Sequence, residues 1–388
     1  MVVTNKHPWS FILLYKFGNI IGVNPFGLDA NNNISISYLT PIYALILTVL
    51  FIYNSTIVFI DRLNNKLNGE TSVLLFVDLQ LISLRCFEIT TGWLLTTIYQ
   101  RRLKIIIDYI KIINNISNKL NINDTYDIHK ISLHILFFNF CFLLSATWAG
   151  FYGDKLNKIP WLIFNIVRLV TYDTILIFII ANCFIKRKFK LLNKKLASLD
   201  IYYLNDNSKI FTSLIAFRKE ITLLTKKIQL FNDLYCEICQ LLDKIIIHFS
   251  FPIAVTIGIH LFQLTDNIYI LLRRIKYPTV SNWKLFYLTN LVHWIIFPVA
   301  ILWLLCESCH HVAIEAKKTG SIMYKLKIPI ELRNNIFVKA KFQMMSLMIL
   351  SKNVKVSLYG CVDVNSQLFI QMVASTTTIL IIMLQFDQ

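Results

Sequence analysis

The sequence predicts an all-α, polytopic membrane protein with seven transmembrane helices, a cytoplasmic N-terminus and an extracellular C-terminus. Three observations lead there. The chain is 56% hydrophobic with a mean hydropathy of +0.57, whereas a soluble domain rarely exceeds about half apolar residues. The apolar residues come in blocks, and a helix needs about 20 of them to cross a bilayer. Lysine and arginine are distributed very unevenly between the segments that join the blocks. The blocks do not show the short alternation of a membrane β-barrel.

The candidate spans, in order, are 39–60, 73–98, 131–152, 161–185, 245–265, 286–306 and 364–386. Residues 1–38 precede them as a cytoplasmic segment. Within it "PWSFILLYKFGNIIG" is apolar but broken by Lys16 and Gly18, and no small-residue cleavage site follows. It reads as an interfacial helix, with a disordered lead-in as the alternative. Residues 39–306 hold the first six spans, with cytoplasmic helices at about 100–130 and 186–244. Residues 307–362 form a further cytoplasmic region, and 363–388 the seventh helix.

Basic residues set the orientation. Outside the spans, 29 lie on the side that carries the N-terminus and 8 on the other, and Arg85 and Arg168 fall inside spans. The side rich in charge is the cytoplasmic one. The net charge of +17 therefore faces the anionic inner leaflet rather than nucleic acid. With seven crossings the C-terminus is outside, the reverse of a G-protein-coupled receptor. None of the eight cysteines lies in an outer loop, so reduced thiols are expected.

Two motifs invite a metal reading. "CESCHH", Cys306 to His311, matches C-x-x-C-H, and "CEIC", Cys236 to Cys239, is a second C-x-x-C. Both fall where continuous helix is expected, and no histidine pair follows at finger spacing. No metal or other cofactor is therefore expected. Sequons at Asn33, Asn54, Asn115 and Asn123 lie on the cytoplasmic side or within a span and are not expected to be glycosylated. The sequence has no nucleophile elbow, phosphate loop or H-E-x-x-H, and the chain is not expected to be an enzyme.

Polar residues inside spans are costly and usually face a bundle interior or a cavity. Span four carries Trp161, Asn165, Arg168 and Tyr172 at i, i+4, i+7 and i+11, one helical face. Span five has Thr256, His260 and Gln263. Span six has Asn290, His293, Trp294 and Phe297. Span three has Ser145, Trp148 and Tyr152, and span two has Asp78 and Arg85, with Glu88 below. Most lie within about 10–15 Å of the outer surface at 1.5 Å per residue. Aromatic walls with a few placed polar groups are what a small-molecule pocket needs. The candidate ligand contacts are Asp78, Arg85, Trp148, Tyr152, Asn165, Arg168, Tyr172, His260, His293 and Trp294. Interhelical hydrogen bonds, interfacial aromatic anchors and an Arg85–Glu88 ion pair stand as the alternative readings.

The chain resembles the insect chemoreceptors in its seven spans, inward N-terminus and long helical segments after spans four and six. Its ending resembles the gustatory receptors. Their closing motif is T-Y, five hydrophobics, then Q-F. Thr378, Ile379, "LIIML" and Gln385-Phe386 hold that register, with Ile379 in place of the tyrosine. "YGCVDVNSQLF", "EAKKTGSIMYKL", "LNKKLASL" and "LFNDLYCEICQLL" resemble further segments of that family. The resemblance implies a taste receptor in the plasma membrane of a sensory dendrite. It implies a ligand-gated, non-selective cation channel that is a homotetramer, or a heterotetramer with related subunits. Four copies of the last helix would surround one pore, with residues 307–362 as a shared anchor. Gln385, Phe386, Thr378 and Asp387 are then the pore and gate residues: phenylalanine rings exclude water, amides meet the passing cation, and carboxylates ring the mouth. The partners implied are a small-molecule tastant, permeating cations and membrane lipids, with no nucleic acid. Leu380 stands where sugar receptors commonly place glutamate, which weakens a sugar reading. An odorant-receptor-type channel and a secondary transporter are the competing readings. Against the transporter, no internal repeat or matched pair of broken spans is visible.

Overall fold

In a computed structural model of the chain, the described residues are 9–22, 26–28, 34–36, 39–64, 72–98, 100–122, 128–151, 158–205, 214–276, 292–325 and 335–386. They are nearly all helical. In hydrocarbon a helix satisfies its own backbone groups, and the apolar blocks of the sequence have become the helices.

Helix α1, Trp9–Ile20, ends at Gly22 with φ +76°. A Cβ at that position would meet Leu47 Cδ1 at 2.9 Å and Trp93 Nε1 at 3.1 Å. The chain end of α1 is thus seated against the next two helices. A short antiparallel pair follows, β1 Phe26–Leu28 with β2 Ile34–Ile36. Helices α2, Leu39–Asn64, and α3, Ser72–Ile98, then pack as a hairpin. Phe51 and Trp93 meet edge to face at 5.7 Å, and Trp93 Nε1 donates to the Ile21 carbonyl at 2.9 Å. Arg62 and Asp78 close the hairpin with an ion pair at 2.8 Å.

Next come α4, Gln100–Lys119, α5, Ile128–Phe151, and the short α6, Lys158–Ile166. A turn at Val167 and Arg168 separates α6 from α7, Leu169–Asn205. Span four is therefore not the continuous helix expected. Val170 N bonds Val167 O at 3.0 Å and Thr171 N bonds Arg168 O at 3.1 Å, the tighter i, i+3 pattern that breaks an α-ladder. Helix α8, Leu214–Lys276, has 63 residues and contains Pro252. At 1.5 Å per residue it is about 95 Å long, three times a hydrocarbon core of about 30 Å. A π-helical turn, Val292–Ile296, leads into α9, Phe297–Lys325.

Helix α10, Ile336–Ser351, is capped by Asn335 Oδ1, which accepts from Phe337 N at 3.0 Å. The pair β3, Ser357–Leu358, and β4, Val362–Asp363, follows. Its turn holds Tyr359 at φ +52° and Gly360 at φ +71°, the left-handed conformation at both positions that a tight hairpin favours. Asn365 Oδ1 then accepts from Leu368 N at 2.9 Å and starts the last helix, α11, Ser366–Phe386.

Among the described residues, five stretches are long and apolar enough to cross a membrane: Pro41–Asn64, Leu169–Ser198, Ile221–Leu272, His293–Lys325 and Ser366–Gln385. The protein is a multi-pass membrane protein. In α3 the apolar run is interrupted by Asp78, Arg85 and Glu88, and in α5 the apolar stretch described is Leu133–Ser145.

The largest core lies along α7, α8 and α9. Phe178 meets Phe249 at 5.4 Å, and Phe189 meets Tyr235 edge to face at 5.7 Å. Polar side chains tie the same three-helix body: Thr319 donates to Asn193 Oδ1 at 2.7 Å, and Asn193 Nδ2 to the Glu315 carbonyl at 2.9 Å. Lys188 Nζ reaches across to Asn114 Oδ1 on α4 at 2.8 Å. The two C-x-x-C segments are helical here. Cys236 Sγ lies 3.0 Å from Met348 Sδ, and Asn182 Nδ2 donates to Cys309 Sγ at 3.4 Å.

Phe189 is fully buried in this body. Phe189→Ala is expected to destabilise the protein by about 3–5 kcal/mol, read as a lowered melting temperature of the purified protein in detergent. An unchanged melting temperature would show that this body does not limit stability.

Candidate ligand site and terminal helix

Four helical elements bring polar groups to one place. Helix α3 supplies Arg85 and Glu88 one turn apart, and α8 supplies His260 and Gln263. The π-helical turn supplies His293 and Trp294. The break between α6 and α7 supplies Arg168, and the first turn of α7 supplies Tyr172. Of these, Arg168, Tyr172, His260 and Gln263 are each at most 1% exposed.

The contacts are specific. Arg168 Nη2 donates to Gln263 Oε1. Its guanidinium lies 5.4 Å from the Tyr172 ring centroid and 4.8 Å from that of Trp294, and Arg85 lies 4.2 Å from the same indole. Cations over aromatic faces gain most when desolvated. Glu88 Oε1 stands 3.1 Å from His260 Nδ1, which also sits 3.0 Å from the Thr256 carbonyl. His293 Nδ1 lies 2.7 Å from Ser145 Oγ, and its ring centroid is 4.9 Å from that of Phe142. Phe142 in turn meets Tyr172 at 4.9 Å. Among the described residues, Arg168 Nε and Nη1, Tyr172 Oη, His260 Nε2, Gln263 Nε2, His293 Nε2 and Glu88 Oε2 have no hydrogen-bonding partner. Buried polar atoms are normally satisfied, so this concentration of open donors and acceptors marks the cluster as a place for a polar guest.

Of the expected ligand contacts, Arg85, Arg168, Tyr172, His260, His293 and Trp294 converge here. Asp78 is engaged with Arg62 at the α2–α3 hairpin instead. Trp148 lies on α5 and Asn165 on α6, but their side chains, like Tyr152, fall outside the described residues. The break at Arg168 also means that Trp161 and Asn165 do not share an unbroken helical face with Tyr172. Phe142 was not legible as a site residue, because an aromatic in an apolar run carries no signal. The buried pair Asn139–Asp173, 2.9 Å apart, was also missed. Its signal was an acidic residue inside a span.

Helix α11 seats one face on the bundle and leaves the rest open. Leu380, Met383 and Leu384 pack on Val77, Leu81 and Tyr269. Gln371, Ala374, Thr378 and Gln385 are exposed and lie on one face at i, i+3, i+7 and i+14. Phe386 ends the helix; its side chain and Asp387 fall outside the described residues. Near the start of α11 a groove of about 180 Å³ is lined by Trp303, Cys306, Glu307, Ser366, Phe369 and Ile370. Ser366 Oγ donates there to Glu307 Oε2 at 3.1 Å. This groove lies at the α9–α11 junction, apart from the polar cluster.

The Glu88–His260 contact joins α3 to α8 in a buried setting. A double-mutant cycle with Glu88→Gln and His260→Leu is expected to give a coupling energy of about 0.5–3 kcal/mol, measured from melting temperatures in detergent. Additive effects would show that the two side chains do not act on each other.

Comparison with known proteins agrees with the architecture. The chain is similar to the insect olfactory receptor OR5 from Machilis hrabei. Against the structure in complex with eugenol the TM-score is 0.67 at 13% identity, covering 97% of this chain and 98% of that one. Against the structure of OR5 alone it is 0.60 at 12% identity, with 97% of each chain covered. At these identities the likeness is one of fold. No curated protein sequence matches the chain. The model of the 7tm Chemosensory receptor family matches residues 11–388, and the chain therefore belongs to the chemosensory receptors of that family.

Proposed function

We propose that the protein is a gustatory receptor that works as a ligand-gated, non-selective cation channel. A small molecule bound in the polar-aromatic cluster opens it. The observation that carries the channel reading is the state of α11. The helix is membrane-length and only 11% of its apolar window is buried, yet its open face carries Gln371, Thr378 and Gln385. Amide side chains facing lipid are unfavourable, and polar groups in spans normally face protein or water. Further copies of the chain around a watery axis satisfy that requirement. A tetramer, with the four α11 helices lining one pore, fits the resemblance to gustatory receptors.

In this reading Gln385 and Phe386 form the gate at the outer end, with Thr378 deeper and Asp387 at the mouth. The excess of lysine and arginine on one side supports a cytoplasmic N-terminus with seven crossings, and the resemblance to gustatory receptors supports the plasma membrane of a sensory dendrite. The parts of α7, α8 and α9 that outrun the bilayer, with α4 and α10, form the cytoplasmic anchor. The ending "TILIIMLQF" favours the gustatory type. The similarity in fold to an olfactory receptor favours the odorant type as the second reading. The two share a mechanism and differ in ligand.

The test is whole-cell recording from cells expressing this chain, with G-protein signalling blocked, against sugars, polyols, amino acids, organic acids and bitter alkaloids. A fast cation current is expected to at least one class. Silence from protein shown to be at the surface would refute autonomous gating by these ligands. In a responsive channel Gln385→Ala is expected to change relative cation permeability, and Phe386→Ala to raise the current without ligand. Unaltered currents in both variants would remove α11 from the pore.

A further inference from the structure

Arg168 is a cation at 1% exposure, and among the described residues no carboxylate stands within ion-pair distance of it. Glu88 faces His260 and Asp78 faces Arg62. Its one hydrogen-bond acceptor is the neutral amide of Gln263. Its remaining neighbours are the faces of Tyr172 and Trp294. Arg85 shares the Trp294 ring, but its charge has carboxylate neighbours in Glu88, Asp78 and Asp266, which Arg168 lacks at ion-pair distance. Removing a guanidinium from water without a counter-ion is strongly unfavourable.

The guanidinium is also left with usable geometry. Nε and Nη1 have no acceptor. Nη2 has two hydrogens and gives one to Gln263. Whichever it gives, one two-pronged edge of the fork stays open, formed by Nη2 with either Nε or Nη1. A carboxylate matches such an edge with two parallel hydrogen bonds. The Tyr172 and Trp294 rings lie near the guanidinium, and the His293 ring meets Trp294 edge to face at 4.6 Å.

We propose that the ligand of this site is an organic carboxylate with a flat, apolar body, and that Arg168 is its counter-ion. This rests on the reading of the cluster as the ligand site and supplies the ligand's chemical class.

The test uses the purified full chain in detergent and its melting temperature. The probes are benzoate, phenylacetate and cinnamate, their neutral amides, acetate as a carboxylate without the body, and chloride at matched ionic strength. Each aromatic carboxylate in large excess over its dissociation constant is expected to raise the melting temperature by about 2–4 °C. The amides and chloride are expected not to, and acetate to do so less. Arg168→Met is expected to lose the carboxylate shift and Arg168→Lys to keep part of it. Gln263→Glu places an internal carboxylate beside Arg168, so it is expected to raise the melting temperature without ligand and abolish the carboxylate shift. That variant keeps the test decisive if Arg168→Met does not fold. The inference is overturned if no aromatic carboxylate stabilises the protein, if the amides match them, or if Gln263→Glu keeps the shift. A carboxylate shift without any current would leave the inference standing and remove the channel reading. Currents evoked by neutral compounds, with no carboxylate shift, would remove the inference alone.

Discussion

A bilayer gives apolar helices no hydrophobic reason to associate, and the structure answers that constraint by dividing its cohesion. Along α7, α8 and α9, apolar side chains form one continuous core through Phe189, Phe231, Tyr235 and Val312. Within the apolar spans, helices meet through polar contacts: Arg62 with Asp78, Asn139 with Asp173, Glu88 with His260, Arg168 with Gln263. The first mechanism holds the subunit together. The second can be altered by a small polar molecule at little cost to the fold.

Helix α8 connects the two regimes. Its N-terminal part packs in the α7–α9 core, while His260 and Gln263 reach the polar cluster. Two turns further on, Tyr269 forms part of the seat for Leu380, Met383 and Leu384 of α11. At 1.5 Å per residue, the step from Gln263 to Tyr269 is about 9 Å. In the proposed function, a rotation or tilt of α8 set by a guest beside Gln263 would be passed through Tyr269 to the C-terminal half of the last helix. The same seat includes Val77 and Leu81 of α3, the helix that carries Arg85 and Glu88. Both walls of the cluster thus touch α11.

The hydropathy blocks made the helices legible in the sequence, since a span must be apolar over its whole length. The start of α11 fell within two residues of the expected span, and the turn at Tyr359-Gly360 with the Asn365 cap supplies the local reason. What stayed hidden was set by helix rotation and by irregular backbone. Asp78 looked like a pocket residue until α2 turned Arg62 toward it. The Arg85–Glu88 spacing suggested a local pair, whereas Glu88 faces His260 across the bundle. The break at Arg168 has no glycine or proline to announce it, whereas the π-helical turn at His293 is followed by Pro298, which cannot bond the Trp294 carbonyl four residues back; Asn267 Nδ2 donates to that carbonyl at 3.3 Å. Both appear where a polar side chain is drawn inward to a partner on another helix. The convergence of six of the expected contacts was foreseeable only as depth along each helix, not as contact.

The open face of α11 also bears on how the receptor is made. Gln371 and Gln385 are exposed on that face, while the hydroxyls of Thr376, Thr377 and Thr378 donate to carbonyls one turn back in the helix itself. In the proposed tetramer, a lone subunit would expose those amides to lipid until sister subunits arrive, and exposed polar groups in spans are what membrane quality control can retain. On that proposal, subunit supply would govern how many receptors reach the surface. In a mixed assembly, the stoichiometry of related chains would be decided at this helix before any ligand is met.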